Sequence, residues 1–177
     1  QGARISLGCV TEVSGSRSAL RALPLRALLA SHETVLAGDA IDATQRAQRF
    51  PSNASAITES VLTYYSGTSY LWGGVTPWGA DCSGLVQSVF SLHGVQLPRD
   101  AWMQARSGVD NGRDLLSAQV GDLLFFTDAT DGEVTHVGLA LGDARMVHLA
   151  LARGGFSVER LDDRRDADVA QMCDRYL

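Results

Sequence analysis

Four strand-like runs crowd between residues 120 and 161, after the helical signals of the chain have ended. Residues 120–126, 135–141, 145–151 and 156–161 alternate, or run apolar, over strand lengths. Helical spacing is confined to what precedes them. Ile57, Val61, Leu62 and Tyr65 form one such stripe, with Ser55 or Thr58 as its expected cap. Leu85, Val86, Val89 and Leu92 form another, with Gly94 as its stop. A short helix is expected at 100–106. Helices first and an antiparallel meander afterwards define an α+β fold.

Ahead of these elements the chain reads differently. Residues 5–13 are strand-like, Ser14-Gly15-Ser16 and Gly38-Asp39 are turns, and 1–46 is expected as a small β region. Pro51-Ser52-Asn53 marks a polar boundary, so residues 47–177 are expected as the main domain. The 177 residues suffice for one domain with such an appendage, with a core that needs no disulfide support. A net charge of −5 and a pI near 5.2 argue against nucleic acid as a partner. No apolar stretch reaches membrane-spanning length, and the first residues lack a signal peptide's regions. Because the chain opens on Gln1, a trimmed product is equally compatible, and the compartment stays open. Cys9, Cys82 and Cys173 do not make a disulfide framework; a Cys9–Cys173 pair and three reduced thiols both remain open.

Cys82 is the residue with chemistry. It closes a loop of small residues, from Trp72-Gly73-Gly74 to Trp78-Gly79-Ala80, and opens the second helical run. Asp81 is then the expected N-cap, and Cys82 lies in the first turn. There the helix dipole and free N–H groups stabilise a thiolate, so a lowered pKa is expected. The plainer reading, a small buried hydrophobe, has to ignore two histidines placed to serve as a base.

Those histidines are His136 and His148. Along 135–141, His136 shares a face with Gly138 and Ala140; along 145–151, His148 shares one with Met146 and Ala150. An odd number of connecting residues puts both on one face of a hairpin, as direct or diagonal neighbours. The small residues beside them are expected to admit the Cys82 helix. Cys82 would supply the nucleophile, His136 the base and His148 the group that orients it. A zinc site on the same three residues is the competing reading, weakened by the lack of any close ligand pair. His93, just before Gly94, is expected to complement the helix dipole.

These residues resemble the NlpC/P60 family of cell-wall cysteine peptidases, which have a papain-like α+β fold. The likeness covers about residues 57 to 162. It is carried in order by Tyr70-Leu71-Trp72-Gly73-Gly74, Asp81-Cys82-Ser83-Gly84-Leu85-Val86, Leu97-Pro98-Arg99, Gly121-Asp122-Leu123-Leu124-Phe125-Phe126 and His136-Val137-Gly138, with His148 twelve residues later. The resemblance implies Cys82 as nucleophile, His136 as general base, His148 as orienting residue, and Tyr70 with the Cys82 N–H at the oxyanion. Leu97-Pro98-Arg99-Asp100-Ala101 with Gln104 is most similar to the γ-D-glutamyl-diamino acid endopeptidases that carry bacterial SH3 modules. By that likeness residues 1–46 are an SH3-like β region, complete or incomplete. Asp100 would bind the free amine of an N-terminal L-Ala, with Ser83, Arg99 and Trp72 as further substrate contacts. Asp100 as a plain helix cap is compatible with this. The implied substrates are peptidoglycan stem peptides or muropeptides, cleaved by a monomer without metal or cofactor. The alternatives are an amidase or acyl-transferase using the same site, or an inactive wall-binding module.

Overall fold

The computed structural model describes residues 3–13, 19–110, 112, 114–127, 132–161 and 168–173. The chain divides into two compact units, Gln1–Pro51 and Ser52–Leu177. In the first, β1 (Arg4–Val13) is the hub. β2 (Ala19–Leu23), β3 (Leu28–Leu29) and β4 (Glu33–Ile41) all pair with it antiparallel. Cys9, Leu23 and Leu29 form its small core, packed by Ala27, Val35 and Ala40. Glu33 is buried but satisfied, by Thr11 Oγ1 at 3.2 Å, Arg21 Nη1 at 2.5 Å and the Ala30 N–H at 2.6 Å. The unit ends in α1 (Ala43–Arg49), held by a capping box between Asp42 and Gln45. No residue of α1 is buried, so it leaves no apolar stripe in the sequence.

The second unit opens with α2 (Ala54–Tyr65). Its cap is Asn53, whose side chain accepts the Ala56 N–H at 2.9 Å, and not the expected Ser55 or Thr58. Thr58 lies inside the helix, where its hydroxyl donates to the Ala54 and Ser55 carbonyls. Ile57, Val61 and Tyr65 are buried, while Leu62 faces outward. Within the small-residue loop, β5 (Val75–Thr76) and β6 (Gly79–Ala80) form a short hairpin. α3 (Cys82–Leu92) and α4 (Ala101–Ser107) follow. The four expected strands are β7 (Leu123–Thr127), β8 (His136–Gly142), β9 (Arg145–Ala150) and β10 (Gly155–Arg160). A fifth, β11 (Asp168–Cys173), completes an antiparallel sheet of order β10-β9-β8-β7-β11.

α3 is the central helix of this unit, in contact with α2, β8 and β9. Leu85, Val86, Val89, Phe90 and Leu92 are all buried on it. At roughly 1.5–3 kcal/mol for each such side chain, that burial fixes the helix firmly. His93 does not serve the dipole from solvent. It is buried, with Nε2 2.9 Å from Ser60 Oγ, and ties α3 to α2. No helix among the described residues is long and apolar enough to cross a membrane.

Candidate active site

Asp81 sets the position of Cys82. Its carboxylate is the N-cap of α3, accepting the Gly84 N–H at 2.7 Å through Oδ1. Oδ2 accepts the Gly73 N–H at 2.8 Å and Arg99 Nη2 at 2.6 Å. Arg99 also donates to Ser83 Oγ at 2.9 Å. One buried carboxylate thus ties the small-residue loop, the first turn of α3 and the Arg99 segment together. The fit is close: a Cβ on Gly84 would stand 2.1 Å from the Gly74 carbonyl oxygen, so only glycine allows α3 to start there.

The histidines come from the sheet. The register Leu139↔Val147 and Ala140↔Met146, carried down the ladder, sets His148 across from Gly138 and diagonal to His136. Both rings lie on one face, as the alternation requires. His136 Nε2 and His148 Nδ1 are 2.7 Å apart, with the rings nearly perpendicular at 75°. His136 is half-buried and His148 is 3% exposed. Beyond His148, its Nε2 lies 3.3 Å from Glu159 Oε1 on β10, off the ideal N–H axis. Glu159 in turn accepts Arg153 Nε at 2.6 Å.

α3 does not lie over the small residues beside the histidines, as the sequence suggests. A Cβ on Gly138 would meet Met146 Sδ at 2.9 Å and His148 Cβ at 3.6 Å, so that space already belongs to β9. The same face carries a cluster of Leu124, Phe126, Ala140, Met146 and Leu161. Cys82 meets β8 at its start instead, where the Val137 N–H donates to the sulfur.

Burial pushes the Cys82 thiol up from its ordinary range, and the Asp81 charge adds to this. The Val137, Ser83 and Cys82 N–H groups oppose the rise without cancelling it. The lowered pKa expected from the helix terminus is therefore overturned: desolvation outweighs the dipole. The resting group is a thiol, so using it as a nucleophile requires a base that takes its proton. Burial and the nearby Cys82 and Asp81 charges also raise Tyr70, against Arg99. Its hydroxyl remains a hydrogen-bond donor at neutral pH.

Tyr70, Trp72, Cys82, Ser83, Arg99 and Asp100 line one cleft of about 570 Å³, walled further by Trp102 and residues 133–135. Trp72 is 85% exposed at the rim. The Arg99 guanidinium is committed to Asp81 and Ser83, whereas Asp100 is exposed and makes no side-chain cap bond at α4. Cys9 and Cys82 are both free, buried thiols, and the Cys173 side chain lies outside the described residues. Among the described residues no three His, Cys, Asp or Glu side chains are placed to share a metal ion, so the zinc reading has no geometric support.

Two features of the site lie beyond the sequence pattern: the reach of Asp81 past its cap to Gly73 and Arg99, and Glu159, although alternation along 156–161 places it two residues from Ser157 on one face.

The NlpC/P60 family model matches residues 67–169. Over 111 residues the chain is 43% identical to the gamma-D-glutamyl-L-lysine dipeptidyl-peptidase of Bacillus subtilis (strain 168), a match covering 62% of this chain and 36% of that protein. The crystal structure of an NlpC/P60 family protein from Bacillus cereus ATCC 10987 matches with a TM-score of 0.79, over 99% of this chain and 63% of that one; at 22% identity this speaks for the fold alone. The fold also recurs, with a TM-score of 0.55 and 19% identity over 69% of this chain and 96% of the other, in RipD from Mycobacterium tuberculosis, described as a non-catalytic NlpC/p60 domain protein adapted to peptidoglycan binding. The chain spans about a third of the length of the curated relatives it matches.

Proposed function

The chain belongs to the NlpC/P60 family, and from that premise we propose that it is a cysteine endopeptidase of peptidoglycan stem peptides. Its bond is the one joining γ-D-glutamate to the diamino acid, L-Lys or diaminopimelate, in peptides with a free N-terminal L-Ala. The observation that carries this reading is the 2.7 Å contact between His136 Nε2 and His148 Nδ1, on the strand whose next N–H meets the Cys82 sulfur. A module that only binds has no use for a paired, oriented base beside a thiol.

In the first step His136 takes the Cys82 proton as the sulfur attacks the γ-carbonyl carbon, and the carbonyl oxygen becomes an oxyanion. The Cys82 N–H and the Tyr70 hydroxyl hold that charge. His136 then returns the proton to the departing amine of the diamino acid, leaving a thioester. Water, deprotonated by His136, attacks the thioester and frees the γ-carboxylate and the thiol. Asp100 binds the L-Ala ammonium, consistent with an exposed carboxylate in the cleft and no cap bond. Arg99 and Ser83 build the cleft floor with Asp81, and Trp72 forms its rim. Residues 1–46 are read as a small SH3-like β region, complete or incomplete.

Mass spectrometry of products from L-Ala-γ-D-Glu-L-Lys and its diaminopimelate counterpart tests the reading. The protein should release L-Ala-γ-D-Glu, and the Cys82→Ala variant should not. A folded protein that binds these peptides and cleaves none would be an inactive wall-binding module.

A further inference from the structure

Three strands present three titratable side chains in one diagonal line. His136 stands on β8, His148 on β9 and Glu159 on β10, each offset by one step of the pleat from the next. The contacts along the line are 2.7 Å between the rings and 3.3 Å from His148 Nε2 to Glu159 Oε1. Arg153 Nε holds the same oxygen at 2.6 Å. Resting on the peptidase reading above, we propose that Glu159 is a positioning residue that sets the order of protons along the histidine pair.

The argument is one of counting protons. Two neutral imidazoles facing nitrogen to nitrogen at 2.7 Å share one hydrogen between them, and there are two ways to place it. If His136 Nε2 carries it, His136 Nδ1 is left with its lone pair free to act as a base, and His148 carries its own hydrogen on Nε2. If His148 Nδ1 carries it, His136 must bear its hydrogen on Nδ1 and has no base to offer. His148 Nε2 is then a bare lone pair.

Glu159 separates the two. An ionised carboxylate only accepts hydrogen bonds. Placed 3.3 Å from His148 Nε2, it attracts an N–H there and repels a lone pair. Burial alone would raise the Glu159 carboxyl, but the Arg153 hydrogen bond and charge, with His148, hold it below the usual range, so it stays ionised. The competent order is thereby selected: Glu159 accepts from His148 Nε2, and His148 Nδ1 accepts from His136 Nε2. The contact is longer and less aligned than an ideal bond in the free protein, and such contacts tighten when substrate closes the site. Glu159 touches neither substrate nor sulfur; it acts through His148.

The test uses Glu159→Gln, whose amide can both accept and donate and so no longer dictates the order. Protein labelled with ¹⁵N-histidine is studied at pH 8, where free imidazoles are neutral, by long-range ¹H–¹⁵N spectroscopy. His136 and His148 should each show hydrogen on Nε2 alone. In Glu159→Gln a second population with hydrogen on Nδ1 should appear. Its kcat on L-Ala-γ-D-Glu-L-Lys should fall about ten- to a hundred-fold with little change in KM, the usual scale for a charge-assisted contact. Glu159→Asp, which keeps the charge, should restore the single tautomer and most of the rate; it also decides the matter if the glutamine variant does not fold. Pure Nε2–H tautomers with an unchanged kcat in Glu159→Gln would overturn the proposal, as would hydrogen on His148 Nδ1 in the wild type. Because the spectra need no turnover, a wild type that cleaves nothing would defeat the peptidase reading alone.

Discussion

Replacing Asp81 by Asn should make the protein weaker and its thiol more reactive at once. Oδ1 accepts the Gly84 N–H at 2.7 Å, while Oδ2 accepts the Gly73 N–H at 2.8 Å and Arg99 Nη2 at 2.6 Å. Asn caps a helix about as well as Asp, so the Gly84 contact survives. At the other position an NH₂ group meets two donors, so the Gly73 and Arg99 bonds are both lost, and the charge-assisted Arg99 bond sets the scale of the loss. Such a bond is worth about 1.5–3 kcal/mol. The Arg99 side chain is 31% exposed, so water recovers part of its charge and the loss sits low in that range, about 2 kcal/mol. For a unit of this size that is a fall in Tm of roughly 8 °C. The thiol moves the other way. Asp81 is one cause of the raised Cys82 pKa, second to burial, and burial remains in the variant. With the anion gone and the Arg99 cation retained, the pKa must drop. Iodoacetamide labelling at pH 7, well below the melting range, should therefore be faster in Asp81→Asn than in the wild type. Calorimetry and labelling followed by intact mass give both numbers. A variant that is destabilised but labels no faster would refute the account of the thiol.

Other substitutions separate the remaining roles. In the wild type, labelling of Cys82 should keep rising above the ordinary thiol value of about 8.5, because its folded pKa is raised; a plateau near pH 6 would contradict this. Cys82→Ala should fold and lose essentially all hydrolysis, and adding His136→Ala should cost little more, since nucleophile and base act as one unit. Asp100→Ala should lower kcat/KM by roughly ten- to a hundred-fold on peptides with a free L-Ala amine, while leaving Tm and Cys82 labelling unchanged; equal cleavage of N-acetylated and free peptides by the wild type would remove the amine-binding role. Gly84→Ala, a change that ordinarily favours a helix, should destabilise by about 3 kcal/mol because its Cβ meets the Gly74 carbonyl; urea unfolding measures this.

Alternation reduced the placing of His136 and His148 to a question of parity, and the register shift between Ala140 and Gly142, which leads to the pairing Ala140↔Met146, is what sets both on one face. The cap at Asp81 was legible because it depends on neighbours in sequence. What could not be read depends on register, depth or partners far along the chain. Glu159 needs the β9–β10 pairing Ser157↔His148 before it faces anything. The thiol's raised pKa needs the depth of Cys82, which its first-turn position does not reveal. α1 buries none of its residues, and β11 takes its place in the sheet by pairing with β7. The packing of Gly138 against β9, and not α3, turns on a methionine eight residues away.

The site is assembled from two stretches that the ribosome makes at different times. Cys82 emerges 54 residues before His136, and Glu159 follows later still. Until the sheet closes, the thiol has no base and no Val137 N–H beside it, and it is chemically an ordinary cysteine. A domain folds as a unit, so nucleophile and base become neighbours only when nearly the whole of residues 52–177 is in place. On the proposed peptidase reading, the nascent chain is thus harmless to whatever peptides surround it. A fragment clipped between α3 and β8 would keep its thiol and lose the histidine pair.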